Sequence, residues 1–303
     1  MRVSANRKTG AGTALFVFLN YAVFTLFTLL CLYPFYYILI YSLSDPIEAQ
    51  KGLFLWPVGF NLNSYADVFQ IKAIYNALFI SIVRTISGTC ITVLSCSFLA
   101  YLLTRPELYL RKTIYRFVVI TMFFNAGLIP YYMTIKSIGL MNSFLVYIIP
   151  TALSAFYVIL IKTYIESLPE SMFEAAMLDG AGFLRIYSLI VMPLSKPIIA
   201  TIAVFSAVGH WNNWFDNYLF VSDPDLRTLQ YLLYTYLTQA ESIAASVRES
   251  GTANMEAMKN AMILSPQTVR MTLTMVVVLP ILVVYPFCQK YFTQGIMLGA
   301  VKG

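Results

Sequence analysis

Of the 303 residues, 59% are hydrophobic, 16% aromatic and only 11% charged, with a formal net charge of +6. That leaves too little polar surface to coat a soluble globule of this size, so the composition excludes a soluble domain and puts the chain in a membrane. The basic excess does not describe a nucleic-acid binder, because the positive charges gather at the ends of apolar stretches.

A hydrocarbon core of about 30 Å needs roughly 20 apolar residues per helix. Six stretches meet that need, near Ala14 to Leu43, Tyr75 to Thr104, Thr113 to Lys136, Asn142 to Ile165, Pro197 to Phe220 and Thr268 to Lys290. The expected fold class is therefore an all-α membrane protein with six transmembrane helices. Residues 1–74 hold the first span and an outer loop, and residues 75–303 form the core. The first stretch is too long for a secretory h-region and lacks a small-residue cleavage site, so it is expected to stay as a signal anchor. Cys31, Cys90, Cys96 and Cys288 fall inside spans and outside any C-x-x-C pair, and read as buried apolar filler, with neither a zinc site nor a disulfide framework indicated.

Basic residues set the orientation. Arg2, Arg7 and Lys8 precede the first span; Arg105, Arg111, Lys112 and Arg116 lie between the second and third. Lys162, Arg185 and Lys196 flank the fourth connection, and Lys290 and Lys302 follow the last span, so 12 of the 20 basic residues share one side. The opposite short loops hold Lys51, Lys72 and Lys136. The positive-inside rule then puts both termini in the cytoplasm. A phospholipid-binding surface is the alternative use of these charges, but their alternation favours topology.

Within the second span, Arg84 is expensive in lipid and must face water or an acid, with Asp216 a candidate partner. Near the outer interface it would instead snorkel. After the fourth span, about residues 166–194, Ser167 and Glu170 have capping-box spacing with Pro169 in the first turn. A short helix is expected from there to Asp179-Gly180, where glycine takes the left-handed conformation of a helix stop, and a second from Phe183 to Val191, ended by Pro193. Met172, Phe173, Met177 and Leu178 would meet water, and Ala175 and Ala176 allow close backbone approach, so the surface calls for a partner. An interfacial hairpin on lipid is the competing reading, weakened by the small number of Lys and Arg on the polar face.

In the fifth span, His210 to Asn217 mixes aromatics, amides and a carboxylate. Such chemistry holds sugars, ring faces on aromatics and hydroxyls on amides or carboxylates, and polar groups at membrane depth face a cavity. Trp211, Asn213, Trp214, Asp216 and Arg84 are the candidate wall of a substrate path. Helix-helix glue with an interfacial Trp belt explains the same residues equally well. Residues 222–267 form a long outer loop in which Leu226 to Tyr236 and Ala240 to Met262 suggest an amphipathic helix. The chain has no G-x-x-x-x-G-K-[ST] phosphate loop, no G-x-S-x-G turn and a single histidine, His210, so no chemistry of its own is visible.

The block Glu174-Ala175-Ala176-Met177-Leu178-Asp179-Gly180-Ala181, closed by Pro193 with Met192 in place of the commoner leucine, resembles the EAA loop of ABC importer permeases. From about Tyr75 the chain is similar to the permeases of maltose-type carbohydrate importers. The closing Gln289 to Phe292 with Gly299, Ala300, Val301, Lys302 and Gly303 resembles the tail of that group's second permease subunit. The resemblance implies a transport subunit of a prokaryotic cell membrane rather than an enzyme, importing a carbohydrate, specifically an oligosaccharide, by alternating access. It implies a second, unlike permease, two ATPase subunits carrying ATP and Mg, an extracytoplasmic solute-binding protein, lipid around the chain, no nucleic acid, and no cofactor on this chain. Glu174, Ala175, Ala176, Asp179, Gly180, Ala181 and Pro193 would then couple to the ATPase, and the tail residues Gly299, Lys302 and Gly303 would touch it. The long outer loop departs from the shorter members. An ABC permease for another small solute and an ion-coupled secondary carrier stay open, although paired repeats and intramembrane acids, usual in the latter, are not evident.

The topology is directly testable. In intact cells a membrane-impermeant thiol reagent is expected to label a cysteine placed at Ser246 and to spare one at Ser171; the reverse pattern overturns the assigned orientation.

Overall fold

The computed structural model describes residues 11–52, 55–238 and 266–300. Every regular element among them is helical. Backbone contacts divide the chain into two compact units, residues 1–68 with 243–275, and residues 69–242 with 276–303.

In the first unit, α1 (Ala11–Ser42) is apolar on every side, and its large side chains from Leu15 to Leu39 are exposed on the protein. A helix hydrophobic all round belongs in a nonpolar medium. Pro34 lies within it, tolerated because a membrane helix has other ways to satisfy the freed carbonyl. Beyond α1 the chain folds back on itself: Asn61 N–H donates to Leu43 O and Asp45 N–H to Val58 O. A short helix α2 (Asn63–Gln70) follows.

The second unit is built on α3 (Lys72–Thr104), which ends because Arg105 precedes Pro106 and is pushed to extended backbone, ψ 127. Among the described residues, Leu15–Ser42 and Lys72–Thr104 are each long and apolar enough to cross a membrane, and Phe183–Leu194 with Lys196–Asn212 passes only as a pair bent by 82°. The expected third, fourth and fifth spans are not continuous helices. The third divides into α4 (Arg111–Thr121) and α5 (Leu128–Ser137), because the Asn125 side chain accepts the Gly127 N–H at 2.9 Å and Gly127 sits at φ +83. The fourth is one 3₁₀ turn, Phe144–Tyr147, and then, beyond Pro150, α6 (Ala155–Ile165). The fifth is α10 (Lys196–Asn212) and α11 (Phe215–Phe220), interrupted at Asn213 and Trp214.

Between them, α7 (Ser171–Leu178), α8 (Phe183–Ile186), a π-helical turn Tyr187–Val191 and α9 (Met192–Leu194) lead into α10. The expected capping box does not form: the Ser167 hydroxyl donates backwards to Tyr164 O at 2.6 Å, and α7 begins only at Ser171. Pro193 does not end the helix at Val191, which runs on to Leu194. A proline offers no N–H to the carbonyl four residues back and its ring crowds that carbonyl, and the widened π turn just upstream accommodates both.

Residues 229–238 form α12, and α13 (Pro266–Ala300) carries Pro280 and Pro286. The helix runs past Lys290, the expected end of the sixth apolar stretch, through Ala300; Val301, Lys302 and Gly303 lie outside the described residues. Cysteines are not uniformly buried either: Cys31 and Cys90 are exposed on outward helix faces and only Cys96 is enclosed, while the side chain of Cys288 is outside the description.

Two apolar clusters hold the second unit. One joins Cys96, Ala100, Tyr101 and Leu103 of α3 to Ile161 and Ile165 of α6, Phe173 and Ala176 of α7, Ile186 of α8, and Ile198 and Ile202 of α10. The other packs Ile80 with Ile135, Val146, Tyr147, Ile148, Phe220 and Val221. Where α3 meets α10, the His210 ring lies on Gly88 so closely that a Cβ there would be 2.5 Å from its Cε1. Gly88→Ala is therefore expected to cost about 1–3 kcal/mol by overpacking and to lower the thermal midpoint of the purified protein. His210→Ala in the same chain should recover most of the loss, and additive losses in the double variant would remove the contact from consideration.

Candidate functional site

Two places gather the residues singled out from the sequence. The first is the α7 elbow. Gly180, φ +75, follows the helix, with Gly180 N–H bonded to Met177 O and Ala181 N–H to Ala176 O, both at 3.0 Å. These two bonds make a Schellman stop, which requires the left-handed residue that glycine supplies cheaply. Glu174, Ala175, Asp179, Gly180 and Pro193 are exposed, and Ala181 is half-buried. Leu178 is 88% exposed, and Met172, Met177, Leu184 and Leu189 also face outward.

Phe173 and Ala176, expected on that outer surface, are instead buried in the core. The side of α7 that they occupy is turned inward, where Phe173 meets the Arg105 guanidinium at 4.0 Å from its ring centroid. On the next segment the Tyr187 hydroxyl and the Ser97 hydroxyl of α3 are hydrogen-bonded at 2.7 Å. The elbow is thus fastened to α3 at its C-terminal end and along its length, with an apolar face left open. In the sequence Arg105 counts only toward orientation, and Tyr187 is not singled out.

The second place is the break in the fifth span. Asn213 has extended backbone, ψ 114, so its carbonyl is free of the helix ladder and accepts from Arg84 Nη1 at 2.9 Å. Arg84 Nη2 reaches Asp216 Oδ2 at 2.7 Å, and Asn213 Nδ2 donates to the same oxygen at 2.8 Å. The guanidinium lies 4.5 Å from the centroid of Tyr147, whose hydroxyl donates to Leu226 O. Arg84 is 1% exposed. Its neighbourhood joins the second span to the fifth, and Arg84 does not snorkel to an interface. Asn217, also buried, accepts the Thr228 N–H on Oδ1 at 2.7 Å and fixes the chain beyond α11. Trp211 spends its indole N–H on Val277 O at 3.2 Å, and Trp214 stacks on Tyr234 with ring centroids 4.1 Å apart.

Beside the break, α10 shows Ser206, His210 and Asn213 on one face, spaced four and three residues apart, toward Thr92 of α3 and the 150–154 bend. They line an open cavity of about 380 Å³ that Tyr157 also lines. Among the proposed path residues only Asn213 lines it; Arg84 and Asp216 form the adjoining ion pair. Ser206 and Thr92 are signalled in the sequence only by helical spacing from His210 and Gly88.

Interrupted helices tied by a buried ion pair beside a polar cavity, within an otherwise apolar chain, are the construction of a membrane transport protein, since irregular backbone at membrane depth survives only where protein or a cavity satisfies it. No protein-family profile matches the chain. It is 35% identical over 290 residues to the polygalacturonan/rhamnogalacturonan transport system permease protein YtcP of Bacillus subtilis, covering 95% of this chain and 99% of that one. It is 34% identical over 271 residues to protein LplC of the same organism, 89% of each chain, and 26% identical over 275 residues to its melibiose/raffinose/stachyose import permease protein MelC, 89% of this chain and 91% of that one. A chain from the crystal structure of a bacterial ABC transporter involved in the import of the acidic polysaccharide alginate matches with TM-score 0.85 at 28% identity, covering 95% of this chain and 100% of that one. The chain belongs to the permease family of carbohydrate ABC importers. It is an integral membrane transport subunit and not an enzyme.

Removing one partner of a buried ion pair costs about 3–5 kcal/mol, whereas replacing both is often close to neutral. Arg84→Met and Asp216→Leu are each expected to reduce the amount of assembled, folded protein in the membrane sharply, and the double variant to recover it. Measured by size-exclusion yield and thermal unfolding, a double variant as poor as either single one would show that the pair is not acting as a unit.

Proposed function

We propose that this permease crosses the membrane six times with both termini in the cytoplasm, the three interrupted segments each counting as one crossing. It pairs with a second, unlike permease to form the path for an oligosaccharide delivered by an extracytoplasmic solute-binding protein. Two ATPase subunits, which hold the ATP and Mg²⁺, drive alternating access through α7. The names of the relatives, from melibiose, raffinose and stachyose to polygalacturonan, support a substrate of several linked sugars. In this reading the chain belongs in a prokaryotic cell membrane, and Arg84, Trp211, Asn213, Trp214 and Asp216 shape the path, by packing as well as by contact.

The observation that carries the coupling role is the open apolar face of α7 and α8. Leu178, Met177 and Leu184 are exposed, and the Glu174 carboxylate has no ion-pair or hydrogen-bond partner among the described residues. Seated in an ATPase groove, these side chains leave water, and Glu174 gains a basic partner on the ATPase. Because Phe173 and Arg105 tie α7 to the foot of α3, a push on the elbow reaches the helix that carries Arg84.

Gly180 separates the chain's own strain from the partner's groove. A Cβ at Gly180 meets nothing within 4 Å in this chain, so the internal cost of substitution is the left-handed backbone alone, φ +75. That cost is about 1–2 kcal/mol for any residue with a Cβ. Gly180→Ala and Gly180→Leu share it, and only leucine adds bulk. In the purified complex, substrate-stimulated ATP hydrolysis is expected to fall about tenfold further for leucine than for alanine, a difference of about 1.4 kcal/mol, with both chains inserted normally. Equal activity of the two variants would take the elbow out of the ATPase interface.

A further inference from the structure

The polar residues lining the cavity beside the helix break are Thr92, Thr151, Ser154, Tyr157 and Ser206, which carry hydroxyls, with His210 and Asn213, whose amide is engaged with Asp216. No carboxylate, ammonium or guanidinium lines it. Arg84 is not among the lining residues; its Nη atoms are engaged by Asn213 O and Asp216, while its Nε is buried without a partner among the described residues. The threonines are directional: Thr92 Oγ1 donates to Thr151 O, and Thr151 Oγ1 donates to backbone carbonyls within its own turn. What those hydroxyls have left for a visitor is lone pairs.

Ser206 is different. It is 3% exposed, and its Oγ has no hydrogen-bond partner among the described residues. A buried hydroxyl without a partner is costly, and such groups are normally completed by something. A sugar hydroxyl both donates and accepts, so it matches the threonine lone pairs and the Ser206 hydroxyl together. A carboxylate only accepts; the Ser206, Ser154 and Tyr157 hydroxyls can donate to it, but it would face the threonine lone pairs too, and no cation lines the cavity to offset its lost hydration. The volume lies within the roughly 300–1,000 Å³ of ordinary small-molecule sites.

We propose, resting on the carbohydrate-importer reading, that this cavity is a subsite for an uncharged sugar ring and turns away a ring bearing a carboxylate. The solved relative is named for an acidic polysaccharide; in the present chain any recognition of acid groups would have to come from elsewhere in the assembled importer.

The test uses the assembled transporter in nanodiscs with Gly209→Cys in this chain, an exposed lining position where a Cβ meets nothing within 4 Å, N-ethylmaleimide as the reagent, and mass spectrometry to read modification at position 209. The probes are neutral trisaccharides of galacto, gluco and manno configuration, and trigalacturonate. At least one neutral probe is expected to slow modification about threefold or more, with trigalacturonate at the same concentration leaving it unchanged. Ser206→Ala should then slow uptake of the protecting sugar by about 3- to 10-fold, the loss of one hydrogen bond, and Ser206→Thr, which keeps the hydroxyl, should restore most of it. Failure of every neutral probe to protect overturns the proposal and leaves the cavity filled by water only; equal protection by trigalacturonate overturns the charge selectivity. Sugar-stimulated ATP hydrolysis by the unmodified complex, measured alongside, reports separately on the importer reading.

Discussion

A guanidinium cannot stand bare in an apolar bundle, and much of the second unit is arranged around that constraint. Arg84 reaches neutrality through Asp216, 132 positions along the chain, and through a carbonyl that only a broken helix can offer. The interruption at Asn213 is therefore paid back by the cation it serves. The break also sets the direction of α11 and brings Asn217 to Thr228. Tyr147 closes the guanidinium's remaining face, with its own hydroxyl satisfied by Leu226. One charge thus fixes the mutual positions of α3, the Phe144–Tyr147 turn, α10 and α11.

The other end of α3 answers to a different demand. There the chain must present a short helix outward without letting it swing free. Burial of Phe173 and Ala176 secures α7, the Arg105 guanidinium covers Phe173, and Tyr187 is bound to Ser97. The outer face keeps Leu178 and Met177 exposed, a large apolar surface that a solitary protein would not retain. Arg84 lies within α3 and Arg105 just beyond its end, so the elbow and the ion pair are attached to one helix.

The cavity lies beside the place where Gly88 of α3 admits the His210 ring of α10. Close approach and polarity are coupled here. Gly88 and Gly209 lack side chains, Thr92 and Thr151 spend their hydroxyl protons on backbone carbonyls, and Ser206 finds no partner among the described residues. The wall that results is polar but uncharged, beside an ion pair that is charged but closed.

What the sequence by itself determined was what depends on local sterics and on one-dimensional patterns. Hydropathy placed the chain in a membrane, the Gly180 stop followed from the left-handed turn that residues with a Cβ resist, and the polar run from His210 to Asn217 stood out as either a path wall or helix-helix contact. The resemblance carried by Glu174 to Ala181 named a family that the relatives bear out. Asp216 was visible as a candidate for Arg84 because few acids lie at membrane depth. The tertiary structure alone decided that three apolar runs are interrupted, that Phe173 turns inward, that Ser167 bonds backwards instead of capping α7, and that Ser206 is left with an unpaired hydroxyl. Each of these outcomes depends on which distant group arrives to satisfy a carbonyl, a ring or a hydroxyl. Hydropathy counts how much a segment avoids water; it does not record which partners the fold will bring to it.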